Sequence, residues 1–240
     1  MGYNDKLYAE RPCGQCLACR VNRRERWVAR CMMEARLSTY AVFTTYTYSD
    51  DNLKSMDVLV KEDIQHFLKR LRKNTGLQIR YLISGEFGER SGRPHWHGLI
   101  FASGVIPEHV HTRAWRNGFV RYGGVTPQSS RYVMKYCLKD GSIVLRSLRP
   151  GIGASYLRIL APAVKQIGAI PKVVRIDGKL YPLDRYCQEG LSRITGVPLA
   201  AFEPYGTLEQ HNVGLKCVGD PLAGDRRVSE WKARKYHGTT

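Results

Sequence analysis

The sequence predicts an α+β fold: an antiparallel β-sheet with helices packed on one face, plus a smaller irregular C-terminal region. Three observations lead there. Runs rich in β-branched and aromatic residues at 40–48, 78–84, 95–102 and 118–125 alternate with single helical segments or a tight loop. The stretch 62–73 repeats its apolar residues at helical spacing. From Gly141 onward Pro150, Gly151, Gly153, Pro162, Gly168 and Pro171 break the chain into short pieces.

Taken in order, Arg20 to Leu37 reads as a helix. Val21, Val28, Met32 and Ala35 can face inward, and Arg20, Arg23, Arg24, Arg26 and Arg30 leave the remaining surface positive. Tyr40 to Tyr48 is a strand that ends in the turn cluster Ser49-Asp50-Asp51-Asn52. A helix from Glu62 to Lys73 carries Ile64, Phe67, Leu68 and Leu71 at i, i+3, i+4 and i+7. Acids open it, Lys and Arg close it, and Gly76 caps it. Gln78 to Ser84 is a strand, and the loop Gly85 to Pro94 delivers a further strand, His95 to Ala102. Pro107 to Asn117 is a short helix and Gly118 to Val125 a strand. Ser130 to Asp140 is helical, with Ser129 or Ser130 as N-cap and Gly141 past its end. Lys172 to Leu183 forms a hairpin on Asp177-Gly178. The expected division is a Cys-rich arm with its basic helix at 1–38, a core at 39–145 and a basic appendage at 146–240.

The 240 residues carry 38 Lys and Arg against 21 Asp and Glu, a net charge of +17. With 43% hydrophobic residues the composition is globular, so the excess charge lies on a folded surface that attracts polyanions. The apolar stretches are too short for a membrane span, and the N-terminus lacks a signal-peptide core. A nucleic-acid-facing protein of the cytosol is the expectation. Cys13, Cys16 and Cys19 form C-x-x-C-x-x-C, and Cys31 follows twelve residues later. In a reducing compartment four such thiolates are candidate ligands of a structural Zn²⁺ that pins the arm to the next helix.

His95-Trp96-His97 carries the strongest chemical signal. On a strand, residues i and i+2 point to one face, so the two imidazoles can share one metal ion. His109 and His111 repeat the spacing in a segment that reads as helical. There they diverge by about 200° and are expected at the surface. Glu86 closes the preceding strand and can reach the same ion, with Glu89 as the rival ligand from mid-loop. Two imidazoles and a carboxylate with open positions suit Mg²⁺ or Mn²⁺ on a phosphate. Tyr132 and Tyr136 are i and i+4 on a helix, with Lys135 beside them. Val133, Met134, Cys137 and Leu138 anchor the opposite side. A phenol has a pKa of about 10, so attack on phosphorus needs the help that Lys135 and a polarised phosphate supply.

These motifs, in this order, resemble the HUH endonucleases of rolling-circle replication. Pro12-Cys13-Gly14-Gln15-Cys16, Phe43-Thr44-Thr45-Tyr46-Thr47, Gly85-Glu86-Phe87-Gly88, Arg93-Pro94-His95-Trp96-His97-Gly98 and Arg131-Tyr132-Val133-Met134-Lys135-Tyr136 are similar to replication initiators of small circular single-stranded DNA phages, nearest the gokushovirus branch of the microviruses. The likeness covers about residues 10–145 and more loosely 146–190. It implies a sheet bearing the histidine pair on a central strand with the tyrosine helix packed beside it. It implies metal ligands at His95, His97 and Glu86, a nucleophile at Tyr132, a second tyrosine at Tyr136 and the helix lysine at Lys135. The implied activity is nicking and rejoining of origin single strands through a 5′-phosphotyrosine, with host helicase and polymerase as partners in the host cytoplasm. The N-terminal cysteines are outside the general endonuclease pattern. The rival readings are a non-catalytic nucleic-acid-binding protein with an N-terminal zinc site and, within the same chemistry, a transposase or relaxase. Basic side chains of the 20–37 helix and Lys69, Arg70, Arg72 and Lys73 are candidates to grip DNA, and Trp96 or Tyr46 to stack on it or pack.

Overall fold

The computed structural model describes residues 16–56, 58–88, 91–137 and 143–199. In chain order these form α1 (Leu17–Leu37), β1 (Tyr40–Tyr48), α2 (Lys61–Thr75), β2 (Ile79–Phe87), β3 (Pro94–Ala102), α3 (Glu108–Trp115), β4 (Gly118–Gly124), α4 (Pro127–Cys137), β5 (Val144–Arg146), α5 (Leu157–Ile167), β6 (Val173–Ile176), β7 (Lys179–Pro182) and α6 (Arg185–Thr195). The five strands β4-β1-β3-β2-β5 make one sheet in which every neighbouring pair is antiparallel. The α+β sheet with packed helices is the architecture the sequence predicts.

Helices cover both faces of the sheet rather than one. Central β3 is buried almost throughout, so its two sets of alternating side chains each need a partner layer. On one face Trp96 and Ile100 join Tyr46, Ile79 and Ile83 beneath Ile64, Phe67 and Leu71 of α2 and Trp115 of α3. On the other, Leu99 and Phe101 join Leu82 beneath Cys31 of α1 and Val133 and Met134 of α4. The α2 stripe is buried as its spacing predicts. Gly76 closes this helix at φ 66°, donating its N–H to the Arg72 carbonyl at 2.9 Å.

The helix α1 is built into the molecule on two sides. Val28, Ala29 and Met33 pack with Leu157, Val164, Tyr181 and Leu191 in a second core formed by α5, α6 and the β6–β7 hairpin. This buries Val28 and Met33 but leaves Val21, Met32 and Ala35 only half-buried. The stretch that Pro and Gly punctuate therefore holds regular elements: only Pro162 of the named breakers falls inside a helix. The hairpin turns on Asp177 (φ 48°) and Gly178 (φ 79°), the two positive dihedrals of a type I′ turn.

Polar contacts tie the two cores together through α1. The buried Glu34 carboxylate accepts from the Arg80 guanidinium of β2 and from the Gly153 N–H at 2.6 Å. Arg30, expected on the solvated face, is buried instead. Its Nε donates to the Ile152 carbonyl at 2.8 Å, an Nη donates to Asp184 at 3.1 Å, and its guanidinium lies between Trp27 and Tyr186. Arg supplies a flat, five-donor head that fits such a sandwich.

His111 also departs from the surface position expected for it. It is fully buried, hydrogen-bonded through Nε2 to the Tyr46 hydroxyl at 2.8 Å, and stacked on Phe67, whereas His109 is exposed. Burial lowers its pKa to about 4.

Two outcomes are expected. The Glu34→Ala substitution strands a partly buried guanidinium and a buried N–H, and should cost about 3 kcal/mol in urea unfolding. The unfolded chain binds a proton at the ordinary histidine pKa of about 6.5, so stability falls as pH drops from there towards about 4. His111→Leu should remove that component, on the order of 3 kcal/mol, from the pH dependence.

Candidate active site

Register alone assembles the site. Glu86 of β2 is paired with His95 of β3, and Ser84 with His97. On the far side Thr47 and Thr45 of β1 pair with the same two histidines. Residues opposite each other in an antiparallel pair share a face, so these six side chains form the polar end of a face that is apolar at Leu82, Leu99 and Phe101. Gly85 precedes Glu86 where a side chain would strike Leu59 and the Trp96 ring, so only glycine lets those groups pack against the strand beside the carboxylate.

His97 is 5% exposed. Its Nε2–H donates to Glu86 Oε1 at 2.5 Å, and its Nδ1 is hydrogen-bonded to Thr45 Oγ1 at 3.0 Å. His95 donates Nδ1–H to the Arg93 carbonyl at 2.6 Å, which leaves Nε2 with its lone pair. The side chain of Arg93 donates to the Tyr48 carbonyl and pairs with Asp50, fixing the loop that carries this carbonyl. The two imidazoles are parallel within 5°, their centroids 6.5 Å apart. Among the described residues no three His, Cys, Asp or Glu side chains already surround one point. The donor set nevertheless fits a divalent ion: each imidazole is held at Nδ1 by an oxygen partner, the arrangement that directs Nε2 to a metal, and a carboxylate touches one of them.

Tyr132 stands over this group. Its ring meets His97 edge-on, centroids 4.8 Å apart and planes at 88°, and meets Phe43 at 87°. Its hydroxyl donates to Glu86 Oε1 at 3.4 Å, and the residue is 41% exposed. The helix that carries it is fixed from both sides. Buried Ser84 donates its hydroxyl to the Val133 carbonyl at 3.2 Å, and Arg131 clasps both oxygens of Glu25 on α1. That hydrogen-bonded pairing raises the Arg131 pKa. The helix starts earlier than the sequence reading has it. Thr126 rather than Ser129 or Ser130 is the cap: its Oγ1 accepts the Ser129 N–H at 3.1 Å while Ser129 Oγ accepts the Thr126 N–H at 2.8 Å, with Pro127 opening the helix. A cleft of about 370 Å³ lies between Phe43, Thr45, His97 and Tyr132 and the start of α4 at Thr126 and Gln128.

Glu86, His95, His97 and Tyr132 are thus brought together. Lys135 follows one turn on and is exposed. Tyr136 belongs to α4, but its side chain, like Glu89, lies outside the described residues. Thr45 and the Arg93 carbonyl, which orient the imidazoles, escaped the sequence reading, since a threonine in a strand is no signal of its own. Trp96 and Tyr46 are fully buried on the opposite face and pack. The α2 cations are remote too. Arg70 donates to the Ala114 carbonyl and Arg72 to the Ile79 carbonyl, both below the other face of the sheet. The four-thiol zinc site does not hold. Cys19 and Cys31 belong to one continuous helix, twelve residues or about 18 Å apart, and Cys31 is buried in the sheet core. Cys16 caps that helix, its Sγ accepting the Cys19 N–H, and Cys13 lies outside the described residues.

Fold and site define a class of protein, one whose antiparallel sheet presents a histidine pair and a carboxylate beneath a helix-borne tyrosine. Residues 41–141 match the family of the replication-associated protein ORF2/G2P. The chain is 34% identical over 151 residues to replication-associated protein VP4 of Bdellovibrio phage phiMH2K, covering 53% of this chain and 48% of that one. It is 29% identical over 153 residues to replication-associated protein ORF2 of Spiroplasma virus 4, with the same coverages, and 28% over 151 residues to replication-associated protein ORF4 of Chlamydia phage 1, of which 38% is covered. Residues 41–141 are thus similar to replication-associated proteins of small phages. The chain spans about half the length of the first curated relatives it matches, and no solved structure matches it.

Replacing Thr45 by Val removes the oxygen that holds His97 Nδ1. Mn²⁺ affinity measured by calorimetry should fall about 10- to 100-fold, with little change in thermal stability.

Proposed function

We propose that this protein initiates rolling-circle replication by nicking single-stranded DNA at a phage origin and rejoining it through a tyrosine ester. The observation that carries the reading is the Tyr132 hydroxyl, poised over the Glu86–His97 pair on the open rim of the sheet. The shared name of its relatives, replication-associated protein, supports the role in replication.

Mg²⁺ or Mn²⁺ held by Glu86, His95 and His97 would polarise the scissile phosphate and offset charge building on its oxygens. The Thr45 hydroxyl, hydrogen-bonded to His97 Nδ1, would keep that imidazole oriented with Nε2 towards the ion. Tyr132 attacks phosphorus, so a phenolic O–P bond forms as the bond to the 3′ oxygen breaks. The phenolic proton leaves towards the Glu86 carboxylate, its acceptor at 3.4 Å, and a proton is returned to the departing oxygen, for which Lys135 is the nearby donor. The products are a 5′-phosphotyrosine and a 3′-hydroxyl that host polymerase extends after host helicase opens the duplex. Tyr136, one helical turn on, repeats the attack at the regenerated origin, and the free 3′-hydroxyl then resolves the first ester. Phosphotyrosine stores the bond energy, so rejoining consumes no nucleotide triphosphate. We assign the chemistry to the core at 39–145 and the setting to the host cytoplasm. Among the described residues no helix is long and apolar enough to cross a membrane.

The experiment is a denaturing gel of protein incubated with labelled phage origin strand, with and without Mn²⁺. A metal-dependent band that survives denaturant is expected. Tyr132→Phe should lower it at least 100-fold, and the Tyr132→Phe, Tyr136→Phe double variant should abolish it. Binding without a covalent band in any metal would overturn the reading.

A further inference from the structure

The sheet face that carries the histidines continues beyond them, across β1 and onto β4. Thr47, paired with His95, is paired on its other side with Phe119, and Thr45, paired with His97, with Arg121. Phe119 and Arg121 therefore stand on the site's own face, two strands or about 10 Å from the imidazoles. The helix α4 packs over β2 and β3, so a strand of DNA reaching Tyr132 cannot arrive from that side. It can arrive over β4. There Phe119 is 67% exposed, Arg121, Gly123 and Gly124 are exposed, and no ion pair or side-chain hydrogen bond joins the Arg121 guanidinium to another described residue. The opposite side of β4 is ordinary: Val120 and Tyr122 pack into the core beneath α3.

A solitary exposed phenylalanine needs no explanation. An exposed phenylalanine and an exposed arginine without a described ion-pair partner, on alternate positions of an edge strand and both in register with the candidate metal ligands, are what a single strand of nucleic acid binds. Any base stacks on an aromatic face, and a guanidinium holds the phosphate between two bases. We propose that Phe119 and Arg121 form the landing strip for the nucleotides beside the scissile phosphate, Phe119 stacking on a base and Arg121 pairing with the backbone. The inference rests on the single-strand nicking read above. Both residues act by binding and positioning and touch no reacting atom. They give affinity and register without reading sequence.

The test uses the full chain with fluorescein-labelled mixed-sequence single-stranded DNA and the matching duplex, titrated at several salt concentrations. Phe119→Ala should weaken single-strand binding about 10- to 100-fold and leave duplex binding unchanged, and Phe119→Tyr should restore it. Arg121→Ala should reduce the slope of log affinity against log salt by about 0.7, and Arg121→Lys should retain the slope. In nicking assays the losses should fall on KM. Circular dichroism melts should match the wild type, because both side chains are exposed. If all four variants bind single strands with wild-type affinity and salt slope while the wild type forms its covalent band, the landing strip is wrong and the nicking site stands. If the variants weaken binding as expected but no protein forms a covalent band, the strip stands and the nicking site is wrong. A wild type that prefers duplex overturns the strip.

Discussion

The pairing of β3 with both of its neighbours governs the core. One strand supplies His95 and His97, the next supplies Glu86 directly opposite His95, and the third supplies Thr45 directly opposite His97. A slip of one residue on either side would send a whole set of side chains to the other face. Slippage is prevented by what lies further along the same strand: Leu99 and Phe101 are committed to one core, Trp96 and Ile100 to the other. Burial on both faces thus fixes the register, and the register fixes the donor geometry. No separate device is needed to bring the three groups together.

Above this floor, the height of Tyr132 is set by α4, which is held at both flanks of the tyrosine. Ser84 grips the Val133 carbonyl from the sheet, and Glu25 grips Arg131 from α1. The helix α1 is in turn held by the second core and by Glu34, Arg80 and Arg30. A chain of contacts therefore runs from the 146–199 elements through α1 to the tyrosine. Part of the +17 charge is spent inside this framework on structural pairing. The cations that remain exposed, Arg121 among them, are the ones available to a polyanion.

Much of this was legible in the chain because it follows from short periods. Two-residue alternation puts His95 and His97 on one face, and 3.6-residue spacing places Tyr132 on the solvent side of a helix anchored by Val133 and Met134. The start of α4 was misplaced, because Ser129 and Ser130 compete as caps with Thr126, whose Thr126-Pro127-Gln128-Ser129 run puts proline at the first helical position. Other residues were not legible because their partners are remote. Arg30 looks like one more cation in a basic run until Ile152 and Asp184 come to lie beside it. His111 differs from His109 only in meeting Tyr46, 65 positions earlier. Cys31 looks like a ligand by spacing, yet the continuity of α1 carries it away from Cys19.

The claim on which the account turns is that register alone makes Glu86, His95 and His97 one metal site. Pulsed electron paramagnetic resonance of Mn²⁺ added to protein labelled with ¹⁵N-histidine tests it directly. Two equivalent-strength histidine nitrogens coupled to the ion are expected in the wild type and one in the His97→Gln variant. Coupling to a single nitrogen in the wild type, or coupling that survives unchanged when His97 is replaced, would contradict it.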